Sequence, residues 1–222
     1  MSSTASCPAP GSATTACTLL LADVVDSTAL ADRLDAAALA AWWQAHDAAA
    51  RALLRTWHGR EIDKSDGFLL LFETVDDARA YAADYHRTLA GLVPAQRARV
   101  GVHRAEVVLR ENSAAEVALG AKPLEVDGLG KSLAARLMAL AQGGQTLMSA
   151  PTAAASSAQE RLQRQGHWRL KGMAEPVEVV ECVDAAAPSP PPVDGAKAYR
   201  VVQRGRGWMP VADLPHTLPA EP

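Results

Sequence analysis

The sequence predicts an α+β fold with a split βαβ core and a further α-β extension. Three observations carry this. Short apolar runs bounded by turn residues alternate with longer stretches of helical period. A Ser-Asp-Gly turn joins two of the runs into a hairpin. The elements then follow in the order β-α-β-β-α-β, the order of a ferredoxin-like core. The 222 residues suffice for one such domain with tails to spare. Apolar residues make up 49 % and charged residues 21 %, a balance that excludes collagen-like, mainly disordered and long coiled-coil chains. The formal net charge of -3 gives no sign of a nucleic-acid binder, which would need a local basic surface.

Residues 1–16 are rich in Ser, Thr, Ala, Pro and Gly and read as a loose arm. Cys17–Asp23 (CTLLLAD) is an apolar run tipped by a carboxylate, the pattern of a buried strand. Ser27 or Thr28 is suited to cap the next helix. Between Asp35 and Trp57, Leu39, Trp43, His46, Ala50, Leu53 and Trp57 recur at helical spacing and mark one packing face. Glu61–Lys64 and Phe68–Phe72 read as strands around the Ser65-Asp66-Gly67 turn, where glycine tolerates positive φ. Val75–Leu89 is a second helix and Arg99–Val108 a strand. Gly128–Ala141 is a helix stopped by Gly143-Gly144. Gln145–Ser149 is a strand, Pro151–Ser157 a short helix, and Trp168–Lys171 with Val177–Val183 a final strand pair around Gly172. The expected division is an arm over 1–16, a domain over 17–184, a proline-rich linker over 185–195 and a tail over 196–222. Within that tail, Ala198–Val202 and Trp208–Val211 form either a docked hairpin or an arm.

Cys7, Cys17 and Cys182 make neither a disulfide framework nor a Cys-x-x-Cys zinc spacing. The first 16 residues lack the charge and the apolar run of a secretion signal. No apolar stretch approaches the roughly 20 residues of a membrane helix. A cytoplasmic protein without membrane contact is expected.

Asp23 and Asp26 stand just past the first strand, and Asp66 stands in a turn that the topology brings to a neighbouring strand end. Carboxylates so placed repel unless a cation joins them, and oxygen ligands beside a phosphate suit Mg²⁺ or Mn²⁺. The amides of Asp26, Ser27 and Thr28 open a helix, where phosphate is readily held. By spacing alone the plainer reading, Asp23 and Asp26 as helix caps and Asp66 in an ordinary Asp-Gly turn, is the favoured one. Arg99, Arg136 and Lys171 each suit phosphate oxygens or a solvated surface. His103, with no nucleophile near it in the sequence, reads as a structural histidine.

Taken in order, LLLADVVDSTAL, GREIDKSDGFLLLF, RVGVHRAEV, GLGKSLAARLMALAQGGQTLMS and GHWRLKGMAEPVEVVE resemble the catalytic domain of class III nucleotidyl cyclases over about residues 17–183. The resemblance implies a homodimer with active sites shared between the chains and a nucleoside triphosphate as substrate. By position, Asp23 and Asp66 would bind two divalent ions, Mn²⁺ or Mg²⁺. Ser27, Thr28 and Arg99 would hold the triphosphate. Arg136 would stabilise charge at the α-phosphate, and Lys171 would reach the triphosphate from the opposite chain. The reaction implied is attack of the ribose 3′-oxygen on the α-phosphate, with pyrophosphate leaving.

The chain departs from that pattern at four places. Asp26 and Ser65 stand where the family usually has glycine. Ser132 replaces an asparagine, with a shorter reach to the ribose. At the base pocket Ile62 replaces a lysine and Glu125 a shorter acid, while Lys64, two residues on, is expected on the same strand face as Ile62. This pair resembles neither the adenine-reading nor the guanine-reading set. It suggests the bacterial pyrimidine cyclases of antiphage defence, with UTP before CTP as substrate. Cyclic UMP would then act on a separately encoded effector that senses the product. An adenylyl or guanylyl cyclase is the first alternative. An inactive nucleotide-binding or dimerisation module is the second, supported by Ser132 and Ser65.

Overall fold

The computed structural model describes residues 12–65, 67–183 and 191–214. Strands β1 (Ser12–Val24), β2 (Arg60–Lys64), β3 (Gly67–Phe72) and β4 (Ala98–Glu111) lie in the order β4-β1-β3-β2, every neighbour antiparallel. Helices α1 (Ser27–Arg33) and α2 (Ala36–Thr56) connect β1 to β2, and α3 (Val75–Gly91) connects β3 to β4. This is the expected ferredoxin-like core. The short helix α4 (Ala114–Ala118) and strand β5 (Leu124–Asp127) follow, β5 pairing with the far end of β4. Helix α5 (Leu129–Leu140) leads to β6 (Thr146–Ser149), which lies parallel to β4. Beyond α6 (Ala150–Ala154), strands β7 (Leu162–Leu170), β8 (Val177–Cys182), β9 (Ala198–Arg204) and β10 (Gly207–Pro210) continue the same sheet in the order β10-β9-β7-β8-β6.

The sheet is covered on both faces, which explains the unbroken apolar run of β1. Leu20, Ala22 and Val24 pack with Phe68, Leu70 and Phe72 against α2 and α3. Cys17 and Leu19 turn to the other face, where Leu69, Leu71, Val107 and Ala134 of α5 close over them. A third cluster joins Leu137 and Leu140 of α5 to Leu147, Trp168 and Leu170.

Several elements differ from expectation. β1 starts at Ser12, five residues before Cys17, so Ser12–Ala16 belong to the sheet and not to an arm. They pair with Glu106–Arg110 of β4. A Ser/Thr/Ala segment carries no apolar signal; the long β4 supplies its pairing. Ser27 and Thr28 are the first residues of α1 and not caps. Asp26 is the N-cap of α1, and Asp35 caps α2 by accepting from the Ala38 N–H at 2.8 Å. The fully buried line of α2 is Trp42, His46, Ala50 and Leu54, with Leu39, Trp43, Leu53 and Trp57 half-buried beside it. β7 starts at Leu162, well before Trp168. The C-terminal segment forms a hairpin docked on β7. Residues 1–11 of the expected arm, 184–190 at the end of the expected domain and in the linker, and 215–222 of the expected tail lie outside the described residues.

His46 is buried between Tyr85, whose hydroxyl lies 2.8 Å from Nε2, and Asp47, 2.9 Å from Nδ1. Burial pushes its pKa below the ordinary 6.5; Asp47 opposes the shift, and Lys64 and Arg51 reinforce it. Burial also lowers His103, whose Nδ1 lies 2.8 Å from the Ser149 hydroxyl. Both rings therefore stay neutral in the folded chain below the pH at which they charge in the unfolded one. The unfolded chain binds more protons there, so stability falls as pH drops below about 6.5, by at most about 1.4 kcal/mol per pH unit for each histidine. Urea midpoints are expected to hold from pH 8 to 7 and to fall from pH 6.5 to 5.5. A flat profile would contradict this.

Candidate functional site

The antiparallel register sets Asp23 of β1 opposite Arg99 of β4 on one side and opposite Gly67 of β3 on the other. The end of β1 and the starts of β3 and β4 thus meet at one edge of the sheet. Arg99 and Asp23 form an ion pair there, both partly exposed. The buried Arg99 Nε–H has no acceptor. Gly67 is required by the close approach of β1: a Cβ there would lie 1.8 Å from the Ala22 carbonyl oxygen. Asp66, the residue before it, lies outside the described residues.

The chain leaves β1 through Val25, whose N–H donates to the Arg97 carbonyl at 2.8 Å, and turns into α1 at Asp26. Asp26 has φ 55 and ψ 35, a left-handed conformation, and its side chain caps nothing. This accounts for the expected glycine at the position: the turn needs positive φ, and aspartate is among the few other residues that tolerate it. Asp26→Gly is expected to raise stability by about 0.5–1 kcal/mol, read as a higher urea midpoint. An unchanged or lower midpoint would show that the carboxylate has a compensating role.

A cleft of about 540 Å³ opens at this turn, lined by Asp23, Asp26, Ser27, Thr28, Asp32 and Arg99. A second groove of about 440 Å³ runs from Ser27 and Thr28 past Trp43 to Lys64 and Ser65. Asp32 carries no motif; only its place one turn after Thr28 on a helix rooted in the cleft brings it in. Lys64 lies over the Trp43 ring, 4.9 Å from its centroid, and 3.2 Å from Asp47.

Arg136, Lys171 and Ser132 form a separate group and do not line the Asp23 cleft. Arg136 Nε donates to the Lys171 carbonyl at 2.9 Å. Ser132, one turn earlier on α5, is exposed.

Ile62 and Glu125 are not brought together. Ile62 is buried with Leu124 and Val126 of β5 on the α5 face of the sheet. Glu125, between those two, points away by strand alternation. Its oxygens accept from Arg110 at 3.0 Å and Asn112 at 3.1 Å. Lys64 does not share the face of Ile62, contrary to expectation. The β2–β3 register shifts between Glu61 and Asp63, a bulge at Ile62 that resets the alternation. Glu61 and Lys64 therefore both meet α2, at Arg51 and at Trp43 with Asp47, while Asp63 pairs with Lys122. His103 is half-buried and bonded to Ser149, as a structural histidine would be.

The oxygen donors of the cleft suit a hard divalent cation. Among the described residues no three His, Cys, Asp or Glu side chains converge into a metal cage. A cation at Asp23 would draw its other ligands from water, phosphate oxygens and residues outside that set, as Mg²⁺ commonly does. Among the described residues no helix is long and apolar enough to cross a membrane.

No protein-family model and no curated protein matches the sequence. Solved structures do match. The adenylyl cyclase CyaB from P. aeruginosa superposes with a TM-score of 0.69 at 16 % identity, over 79 % of this chain and 97 % of that one. An adenylate cyclase from Trypanosoma brucei in its monomeric state gives 0.66 at 21 %, over 75 % and 88 %. The guanylate cyclase domain of RhGC from Catenaria anguillulae, in complex with GTP, gives 0.66 at 14 %, over 75 % and 94 %. The ferredoxin-like core, its α-β extension and these superpositions together give the chain the fold of class III nucleotidyl cyclase catalytic domains.

Proposed function

We infer that the chain is a metal-dependent nucleotidyl cyclase, converting a nucleoside triphosphate to its 3′,5′-cyclic monophosphate and pyrophosphate. The observation that carries this is the Asp23–Arg99 pair at the root of a cleft walled by Ser27 and Thr28. An acid for a cation, a cation for a phosphate and the amides at a helix start stand side by side. A bound divalent cation would lower the pKa of the ribose 3′-hydroxyl and neutralise charge on the leaving pyrophosphate. Asp23 would hold it, with Asp66 as second ligand on the sequence resemblance. Arg99 would turn its unpaired N–H toward triphosphate oxygens, and Ser27 and Thr28 would bind the same oxygens from the other wall. Arg136 and Lys171, which do not line the Asp23 cleft, would act across a homodimer. Arg136 would stabilise charge on the α-phosphate, and Ser132 would bond the ribose. This preorganised positive charge is what the reaction chiefly requires.

ATP or GTP is the substrate this reading favours, since the superposed proteins are adenylyl and guanylyl cyclases. UTP or CTP, with a cyclic UMP signal in antiviral defence and a separate effector, rests on Ile62 and Glu125 alone. Glu125 would have to leave Arg110 and Asn112 to read a base. The test is incubation with ATP, GTP, CTP and UTP together, with Mn²⁺ or Mg²⁺, products being resolved by mass spectrometry against a D66A control. Cyclic AMP or cyclic GMP is expected. A cyclic pyrimidine nucleotide would restore the second substrate class. No product from a folded dimer would favour the binding module.

A further inference from the structure

Beyond β7 the described chain adds two strands to the sheet. Its last described strands, β9 and β10, form a hairpin with β9 laid along β7, Leu170 facing Ala198 and Trp168 facing Arg200. The pairing continues past the end of β7. The Lys171 N–H donates to the Lys197 carbonyl at 2.9 Å. The Lys171 carbonyl in turn accepts from Arg136 Nε at 2.9 Å. Both backbone polar groups of Lys171 are therefore held, one by the hairpin and one by α5. Gly172 turns the chain at φ +85, and the Met173 N–H closes the turn on the Leu170 carbonyl at 3.0 Å. The entry to the hairpin is itself fixed. Gly195 and Ala198 exchange two hydrogen bonds of 2.7 and 3.2 Å, and Asp194 Oδ1 accepts from the Arg200 N–H at 2.9 Å. A cleft of about 330 Å³ lies between this entry and α5, with Arg136 on one wall and Lys197 on the other.

We propose that the hairpin entry, residues 194–198, is a positioning device for Lys171 and Arg136. This rests on the reading that those two cations meet the triphosphate. Long cationic side chains at an exposed edge lose much binding energy to conformational freedom, and a fixed backbone anchor reduces that loss. Asp194 acts through the turn and the Lys197 carbonyl, so it is a positioning residue.

The full-length chain is compared with D194A, which removes the acceptor at an exposed position, and with D194N, which keeps an oxygen there. Three quantities are measured: hydrogen exchange of the segment 170–173, affinity for inorganic triphosphate with Mn²⁺, and kcat and KM on the substrate found. D194A is expected to speed exchange in that segment, weaken triphosphate binding about fivefold and lower kcat about tenfold, with D194N close to wild type. Faster exchange in D194A with unchanged triphosphate affinity and kcat overturns the proposal and leaves the cyclase reading intact. D194N as impaired as D194A also overturns it. A wild-type chain that makes no cyclic product, yet binds triphosphate in a manner weakened by D194A, overturns the cyclase reading and supports the hairpin's role. A wild-type chain that binds no triphosphate overturns both.

Discussion

Asp23→Ala is expected to lower cyclic nucleotide formation at least about a thousandfold while leaving the fold intact, as read by turnover and a urea melt. The two outcomes separate because the sheet does not depend on the Asp23 side chain. Its carboxylate is partly exposed, and its ion pair with Arg99 is worth at most about 1 kcal/mol. The β1 backbone around it is held by both neighbouring strands and does not need the side chain. The pair also predicts a contrast with Arg99→Gln. In the unliganded chain Arg99 occupies the carboxylate that a cation would use. Its removal should strengthen Mn²⁺ binding in the absence of nucleotide, while turnover falls about a hundredfold for want of a phosphate partner. A calorimetric titration with Mn²⁺ alone checks this. Equal loss of Mn²⁺ binding in both variants would refute the division of roles.

The core was legible because its signals are local. The apolar run of β1, the two runs that pair as β2 and β3, and Gly144 after α5, at φ +95, each state a conformation within a few residues. The positions of Asp23 and Arg99 followed, since one stands at the tip of an apolar run and the other at the start of the strand that must pair with it. What escaped is what depends on a partner. Ser12–Ala16 join the sheet because β4 runs on to Glu111 and offers them Glu106–Arg110 as partners. The bulge at Ile62 cannot be seen in Glu61–Lys64, and it moved Lys64 to the α2 face; Glu125 faces away from Ile62 because it alternates with Leu124 and Val126, which pack on Ile62. The left-handed turn at Asp26 was visible only as a departure from an expected glycine, and its backbone supplies the physical reason. Arg136 and Lys171 were readable as cations, but their shared carbonyl is a product of packing between α5 and the end of β7.

Gly101→Ala is expected to cost about 3 kcal/mol or more, or to prevent folding, and to abolish any activity that needs Arg136. Gly101 lies in β4 opposite Leu21 of β1 and Leu147 of β6, where α5 crosses the sheet. A Cβ added there would stand 2.3 Å from both the Ala134 carbonyl oxygen and the Met138 nitrogen, which are backbone atoms of α5. No side chain can be trimmed to make room, so the helix itself must lift. Lifting it opens the cluster of Leu137, Leu140, Leu147, Trp168 and Leu170, and carries Arg136 away from the Lys171 carbonyl. Gly130, also on α5, is the instructive comparison. Its added Cβ would meet the Ala105 Cβ at 2.5 Å, a side-chain atom. Gly130→Ala should therefore be rescued by Ala105→Gly, whereas Gly101→Ala should not be rescued by Ala134→Gly. Urea midpoints of the four variants decide it. Recovery of Gly101→Ala by the Ala134 change would mean that the helix packs through its side chains there, and that the glycine of RVGVH does not set how closely α5 and its arginine approach the sheet.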